Sequence, residues 1–177
     1  MVEGLRALFV GRFQPLHLGH LHVLSWCLEF ADEVVVVVGS AQESYTLRNP
    51  FTVSERLEMI RCSLAEAGLP LDRFRVVPLQ DINMNPVWPR YLEVMVPRFH
   101  VVVTGNRLVA ELFRDYGYPV VEPPFYRRGE CSGTRIRELM VRGDDSWRLL
   151  VPRCVASYID RIGGVGRLRR LWGGGRA

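Results

Sequence analysis

The sequence predicts an α/β fold with a doubly wound parallel sheet, on three observations. Short apolar runs alternate with stretches of helical periodicity, joined by brief connections. Val34 to Val38 is a run of consecutive valines, suited to a strand covered on both faces at the centre of a parallel sheet. Polar loops follow the strands, at the end where open α/β sheets bind their ligands.

Taken in order, Ala7 to Val10 reads as a buried strand and Gly11 to Pro15 as a turn. Leu18 to Ala31 reads as a helix whose Val23, Trp26, Cys27 and Phe30 share one apolar stripe. Val34 to Val38 completes a βαβ unit, and Gly39 to Asn49 is the polar loop after it. Thr52-Val53-Ser54-Glu55 has the pattern of a capping box, opening a helix that ends near Gly68. Arg73 to Leu79 is the third strand, the amide-rich Gln80 to Trp88 a loop, and Arg90 to Val96 a helix stopped by Pro97. Phe99 to Thr104 and Tyr118 to Val121 are the last strands, with a helix from Leu108 to Tyr116 between them. Ser132 or Thr134 caps the helix that follows, Glu138 to Arg142. Ser146 caps a final helical region broken or kinked at Pro152, so residues 143–165 form a helical C-terminal part of one domain spanning 1–177. The basic, glycine-rich residues 166–177 are expected to form a flexible tail.

With 177 residues, 48% hydrophobic and 24% charged, the chain can bury a core and has the composition of a soluble globular protein. No apolar run reaches the length of a membrane span and the N-terminus lacks a signal-peptide pattern. A cytoplasmic protein with no membrane partner is therefore expected. Cys27, Cys62, Cys131 and Cys154 are far apart and form no CxxC pair, so structural thiols are expected rather than a zinc site or redox motif. A net charge of +4 is compatible with nucleic acid or with small phosphorylated ligands. Every Lys/Arg position is arginine, which rules out a P-loop or Schiff-base lysine.

Gly11 to His20, GRFQPLHLGH, sets a strand-to-helix junction at two histidines. The first N–H groups of a helix are free and its dipole is positive there, which favours an anion. Arg12, His17 and His20 add donors, and Gly19 is expected to let a phosphate approach the backbone. A second donor-rich helix start lies at Ser132-Gly133-Thr134-Arg135-Ile136-Arg137. Two such starts suit a nucleoside triphosphate, one for the reacting phosphates and one for a leaving pyrophosphate.

GRFQPLHLGH resembles the HxGH signature of the nucleotidylyltransferase superfamily, in the form used by nicotinamide mononucleotide adenylyltransferases, and SGTRIR resembles that superfamily's second motif, SxTxIR. GSAQESYTLRNPFT, QDINMNPVW, Thr104 to Asn106 and GYPVVEPPFY are similar to segments of the archaeal type, in the same order. The resemblance covers nearly the whole chain and implies a Rossmann-like nucleotidylyltransferase fold. It implies transfer of AMP from ATP to nicotinamide mononucleotide, giving NAD and pyrophosphate. Mg²⁺ would ride mainly on substrate phosphates rather than on protein ligands, and the protein would be a homo-oligomer, with a hexamer as one size. By the same resemblance Arg12, His17, His20, Arg48 and Arg137 hold ATP phosphates, the first three as catalytic residues. Ser40, Gln42 and Asn106 lie near the nucleotide, and Ser132 and Thr134 close on its phosphates. Ile82, Asn85, Trp88 and Phe125 line the nicotinamide pocket. Arg135, where an acidic residue is frequent, and Pro86 in the base-binding loop depart from the commonest pattern.

A phosphate nucleophile is already ionised near neutral pH, with a second pKa of about 6, so no general base is required. No Ser-His-Asp order or activated nucleophile appears. Alignment and stabilisation of developing charge remain as the means of catalysis. Three other readings stay open. A pantetheine phosphate, flavin mononucleotide or cytidylyl enzyme shares HxGH, but amides plus an aromatic in QDINMNPVW suit a carboxamide-bearing ring. A nucleic-acid-binding protein is suggested by Arg167, Arg169 and Arg170, without any RNP, KH or helix-turn-helix signature. A nucleotide sensor without turnover is weighed against by the intact His17, His20 and Arg137.

Overall fold

The period-two alternation of the apolar runs decides the layering. The computed structural model describes residues 4–124, 126, 127, 129 and 131–174. Ala7, Phe9, Val34, Val36, Val38, Val101 and Val103 face one core, while Leu8, Val35, Val37 and Val102 face the other. The strands are β1 (Arg6–Gly11), β2 (Glu33–Val38), β3 (Phe74–Pro78), β4 (Val101–Val103) and β5 (Val120–Val121). All pairings are parallel and the order is β3-β2-β1-β4-β5. The valine run is thus paired on both edges and covered on both faces, as its composition predicts.

The first core is closed by α1 (Leu18–Cys27), α2 (Val53–Glu66), α5 (Gly133–Arg142), α6 (Arg153–Arg161) and α7 (Gly164–Gly174). The second is closed by α3 (Trp88–Met95) and α4 (Arg107–Asp115). The chain winds outward from β1 to β3 and then returns past β1 to β4. That reversal makes the carboxyl end of β1 a topological switch point.

The caps follow the sequence closely. Thr52 Oγ1 accepts from the Glu55 N–H at 3.2 Å and Glu55 Oε2 accepts from the Thr52 N–H at 2.9 Å. Ser132, not Thr134, caps α5. A 3₁₀ turn, Asp145–Leu150, precedes the break at Pro152, and Asp144 rather than Ser146 caps that turn. Helix α1 ends at Cys27, short of Ala31, and α3 begins at Trp88 through a 3₁₀ turn over Asn85–Val87.

Two expectations are overturned. Residues 166–174 are not a flexible tail but belong to α7, whose Leu168 is buried in the first core; 175–177 lie outside the described residues. Cys62 and Cys154 are joined in a disulfide linking α2 to α6 across 92 residues of sequence. Such a cross-link constrains the unfolded chain by about 2 to 5 kcal/mol. Cys27 is a buried thiol whose pKa burial pushes up to about 12, which suits a structural role. Among the described residues no helix is long and apolar enough to cross a membrane.

Candidate active site

The loop after β1 is fixed from below before it offers anything to a ligand. Gln14 is buried; its Oε1 accepts from the Phe51 N–H at 3.0 Å and its Nε2 donates to the Phe51 carbonyl at 2.9 Å. His17 then caps α1. Its Nδ1 accepts from the His20 N–H, and His20 Nδ1 accepts from the His17 N–H, each at 3.3 Å. This is a capping box made of two imidazoles, whose rings stack at 3.6 Å. Because each Nδ1 accepts, the proton of each neutral ring is assigned to Nε2. Burial pushes His17 down to about 4, and burial followed by the charge of His17 pushes His20 well below the usual imidazole range. At neutral pH both rings are uncharged donors.

Gly19 serves this arrangement directly. A Cβ there would lie 3.0 Å from His17 Nδ1 and 3.1 Å from its Cε1, so the room the glycine makes is taken by the capping ring and not held open for a phosphate. The Gly19 N–H donates to Cys131 Sγ at 3.2 Å, and that sulfur lies 3.6 Å from His17 Nδ1. Sequence reasoning gave Cys131 no place here.

His17 also makes the fold acid-sensitive. Its folded pKa of about 4 is below the unfolded 6.5, so the unfolded chain binds the proton first and stability falls as pH drops through that window. The stabilisation is complete above the upper value. Its loss amounts to about 3 kcal/mol for this ring. Denaturant titrations at neutral pH and at pH about 5 check it. His17→Asn keeps a capping oxygen and should flatten the slope; an unchanged slope would assign the acid lability elsewhere.

Arg56 is the residue sequence reasoning missed. Fully buried in α2, it donates to the carbonyls of Arg12 at 3.0 Å, Gly39 at 2.7 Å, Ser40 at 3.0 Å and Thr52 at 3.4 Å. It thereby joins the loops after β1 and β2 to the start of α2. The signal was an arginine at helical spacing from Met59, Ile60 and Ser63, on the face that is otherwise buried.

Three further arginines converge above this frame. Arg137 Nη1 donates to the Gln14 carbonyl at 2.7 Å and its Nη2 to Thr134 Oγ1 at 3.3 Å. Gly133 permits this, since a Cβ would lie 3.1 Å from both Arg137 Nη1 and the Gln14 oxygen. Arg12 Nη1 is buried and has no hydrogen-bond partner among the described residues. Burial, and then the charge of Arg48, lower the Arg12 pKa; burial, Arg12 and Arg48 lower that of Arg137 to about 10. An orphaned donor among repelling guanidinium groups is an arrangement that a bound anion would relieve.

A cavity of about 440 Å³ opens beside β1 and β2, lined by Arg12, Ser40, Arg48, Asp81, Ile82, Asn85 and Trp88 among others. Trp88 sets one edge against Phe113, at 5.6 Å and 72°, while it lines the cavity. It is at once a core contact and a pocket wall. Pro86 sits in the turn that delivers Trp88, and its carbonyl accepts from Tyr116 Oη at 2.8 Å. A neighbouring cavity of about 240 Å³ is lined by Arg48, Thr134 and Arg137 together with Leu168 and Trp172 of α7. Arg48 therefore touches both.

Other expected residues also hold the loops and helix starts together. Gln42 Oε1 accepts from the Asp81 N–H at 3.1 Å, and the Ser40 N–H donates to Asp81 Oδ1 at 3.2 Å, so both tie the β2 loop to the β3 loop. Ser132 Oγ accepts from the Arg135 N–H at 3.2 Å as the cap of α5. Asn106 caps α4 through Val109 at 3.3 Å and lines a different cavity, of about 280 Å³, with Thr104, Gly105 and Glu122. Phe125 lies outside the described residues. Among the described residues no three His, Cys, Asp or Glu side chains gather as metal ligands.

A family model described as cytidylyltransferase-like matches residues 8–139. A nicotinamide-nucleotide adenylyltransferase of Aeropyrum pernix is 52% identical over 94% of this chain and 96% of its own. Those of Pyrococcus abyssi and Ignicoccus hospitalis are 52% and 49% identical, each over 94% of this chain and over 89% and 98% of their own. A crystal structure of a bifunctional NMN adenylyltransferase/ADP ribose pyrophosphatase from Francisella tularensis superposes with a TM-score of 0.75 at 22% identity, and this chain, 95% covered, spans 52% of that protein. That likeness concerns the fold.

Proposed function

Since the chain belongs to the cytidylyltransferase-like family and, within it, to the archaeal nicotinamide-nucleotide adenylyltransferases, we infer that it transfers AMP from ATP to nicotinamide mononucleotide, giving NAD and pyrophosphate. The observation that carries the reading is the buried Arg12 Nη1, without a hydrogen-bond partner among the described residues, beside Arg48 and Arg137 at the head of the histidine-capped helix. Three neighbouring positive charges suit a triphosphate better than a monophosphate. Incubation with ATP, Mg²⁺ and a panel of phosphorylated acceptors tests it. NAD should form, and turnover confined to another acceptor would overturn it.

We assign the phosphates of ATP to Arg12, Arg48 and Arg137, and the charge that builds on the α-phosphate to the Nε2–H groups of His17 and His20. Neutral donors fixed in advance need no reorganisation as the charge appears. The nucleophilic phosphate arrives ionised, so these residues align and stabilise rather than move protons. Mg²⁺ fits the donor set as a passenger on the substrate, because among the described residues Asp81 is the one carboxylate on that cavity's lining and phosphate oxygens and water would supply the remaining ligands. When bound, the ion neutralises phosphate charge.

We assign the nicotinamide ring to Ile82, Asn85 and Trp88. Trp88→Ala should raise KM for the mononucleotide far more than KM for ATP, on the scale of about 1 to 3 kcal/mol for a base stacked on an aromatic. Since Trp88 also meets Phe113, thermal stability should fall modestly in the same variant. Equal rises in both KM values would reduce the indole to a packing residue.

A further inference from the structure

The C-terminal helix α7 reaches back through Arg167 to the segment that carries Arg48. Its Nη1 and Nη2 donate to Glu55 Oε2 and Oε1 at 2.7 and 2.8 Å, its Nη1 also donates to the Pro50 carbonyl at 3.2 Å, and its guanidinium stacks on Tyr45 at 4.5 Å from the ring centroid. Tyr45 precedes Arg48, Pro50 follows it, and Glu55 stands in the first turn of the helix beyond. Every group that Arg167 holds brackets the exposed Arg48. Within the same loop Asn49 is buried and bonded to Glu43 and Thr46, which closes the segment on itself and leaves Tyr45, Pro50 and Glu55 as its outer handles. Two residues on, Arg169 Nε donates at 3.1 Å to the Met140 carbonyl of α5, the helix that carries Arg137. Helix α7 therefore ties the carriers of both arginines to one element.

We propose that Arg167 is a positioning residue that sets Arg48 against the triphosphate, so that α7 is part of the nucleotide-binding apparatus. This rests on the proposed adenylyltransfer, and wild-type NAD formation tests that reading separately. A bidentate guanidinium pair fixes direction as well as distance, which an ammonium does not. Arg167→Met should raise KM for ATP about tenfold, change KM for the mononucleotide less than twofold, and leave Arg167→Lys only partly restored. Placed on Arg48→Ala, Arg167→Met should add little to the loss in kcat/KM for ATP, because its action passes through the residue already removed. Tyr45→Ala, at an exposed ring, should raise KM for ATP in the same direction with the fold intact, and serves as the readout should Arg167→Met not fold. Pyrophosphate binding, measured by calorimetry on the folded variants, should weaken in parallel. Additive losses with Arg48→Ala, or equal rises in both KM values, would overturn the proposal and leave Arg167 a fastener of α7.

Discussion

His20→Ala should lower kcat by about a hundredfold or more, the scale of removing one donor to a developing oxyanion. The ring is held for that task by the stack on His17 at 3.6 Å and the tilted contact with Phe13 at 4.7 Å. It is kept uncharged by burial and by His17. Its Nδ1 is occupied by the His17 N–H, so Nε2–H is the donor available to substrate. KM for ATP should change less than kcat, because the bond strengthens as charge accumulates in the transition state. Loss of one capping contact costs about 1 kcal/mol, which leaves the chain folded. Steady-state kinetics and thermal melts on the alanine variant and on His20→Asn separate the possibilities. Asparagine retains an acceptor for the His17 N–H but places no donor where Nε2 was. Recovery of kcat in His20→Asn would show that the imidazole only caps the helix.

What the sequence made legible is what local chemistry writes into neighbouring residues. The valine run, the Thr52 to Glu55 box, and the two donor-rich helix starts all appear where spacing put them. So does the pairing of Arg12, Arg48 and Arg137 across the chain, through the resemblance to a family rather than through periodicity. Contacts between distant residues were not legible in the same way. Cys62 and Cys154 carry no spacing signal across 92 residues. The α7 segment looked frayed because its glycines weaken a helix, yet burial of Leu168 and the Arg167–Glu55 pair outweigh that propensity. The sequence presents Gly19 as room for a phosphate and Gln42 as a neighbour of the nucleotide, and does not show that one clears space for a ring and the other bonds across to the β3 loop. Polar side chains at a phosphate site divide into those that touch substrate and those that hold the first group still, and sequence alone does not separate the two.

Arg48 and Arg137 should behave as one unit in kinetics. They lie on different elements, one on the loop after β2 and the other in the first turn of α5, yet they line a common cavity, and the charge of each bears on Arg12 or is felt by its neighbour. Arg137 already spends one arm on the Gln14 carbonyl and another on Thr134. Lysine there cannot hold those partners and a phosphate oxygen together. Arg48, exposed on its loop, makes no such bond among the described residues, and a role on the triphosphate would depend on its planar fork meeting phosphate. Each single change to lysine should lower kcat/KM, with ATP varied, by about 10- to 100-fold, the range for losing a hydrogen bond to a charged group. The double variant should lose less than the product of the two, because each arginine works only while the other keeps the phosphates in line. A second sign follows from repulsion in the free protein. Arg48→Ala removes a charge that disfavours Arg12 and Arg137, so it should raise the Tm of the free chain while shrinking the Tm gain on adding ATP. Additive losses in the cycle, with an ATP-induced Tm gain unchanged by Arg48→Ala, would mean that the two arginines do not share the triphosphate.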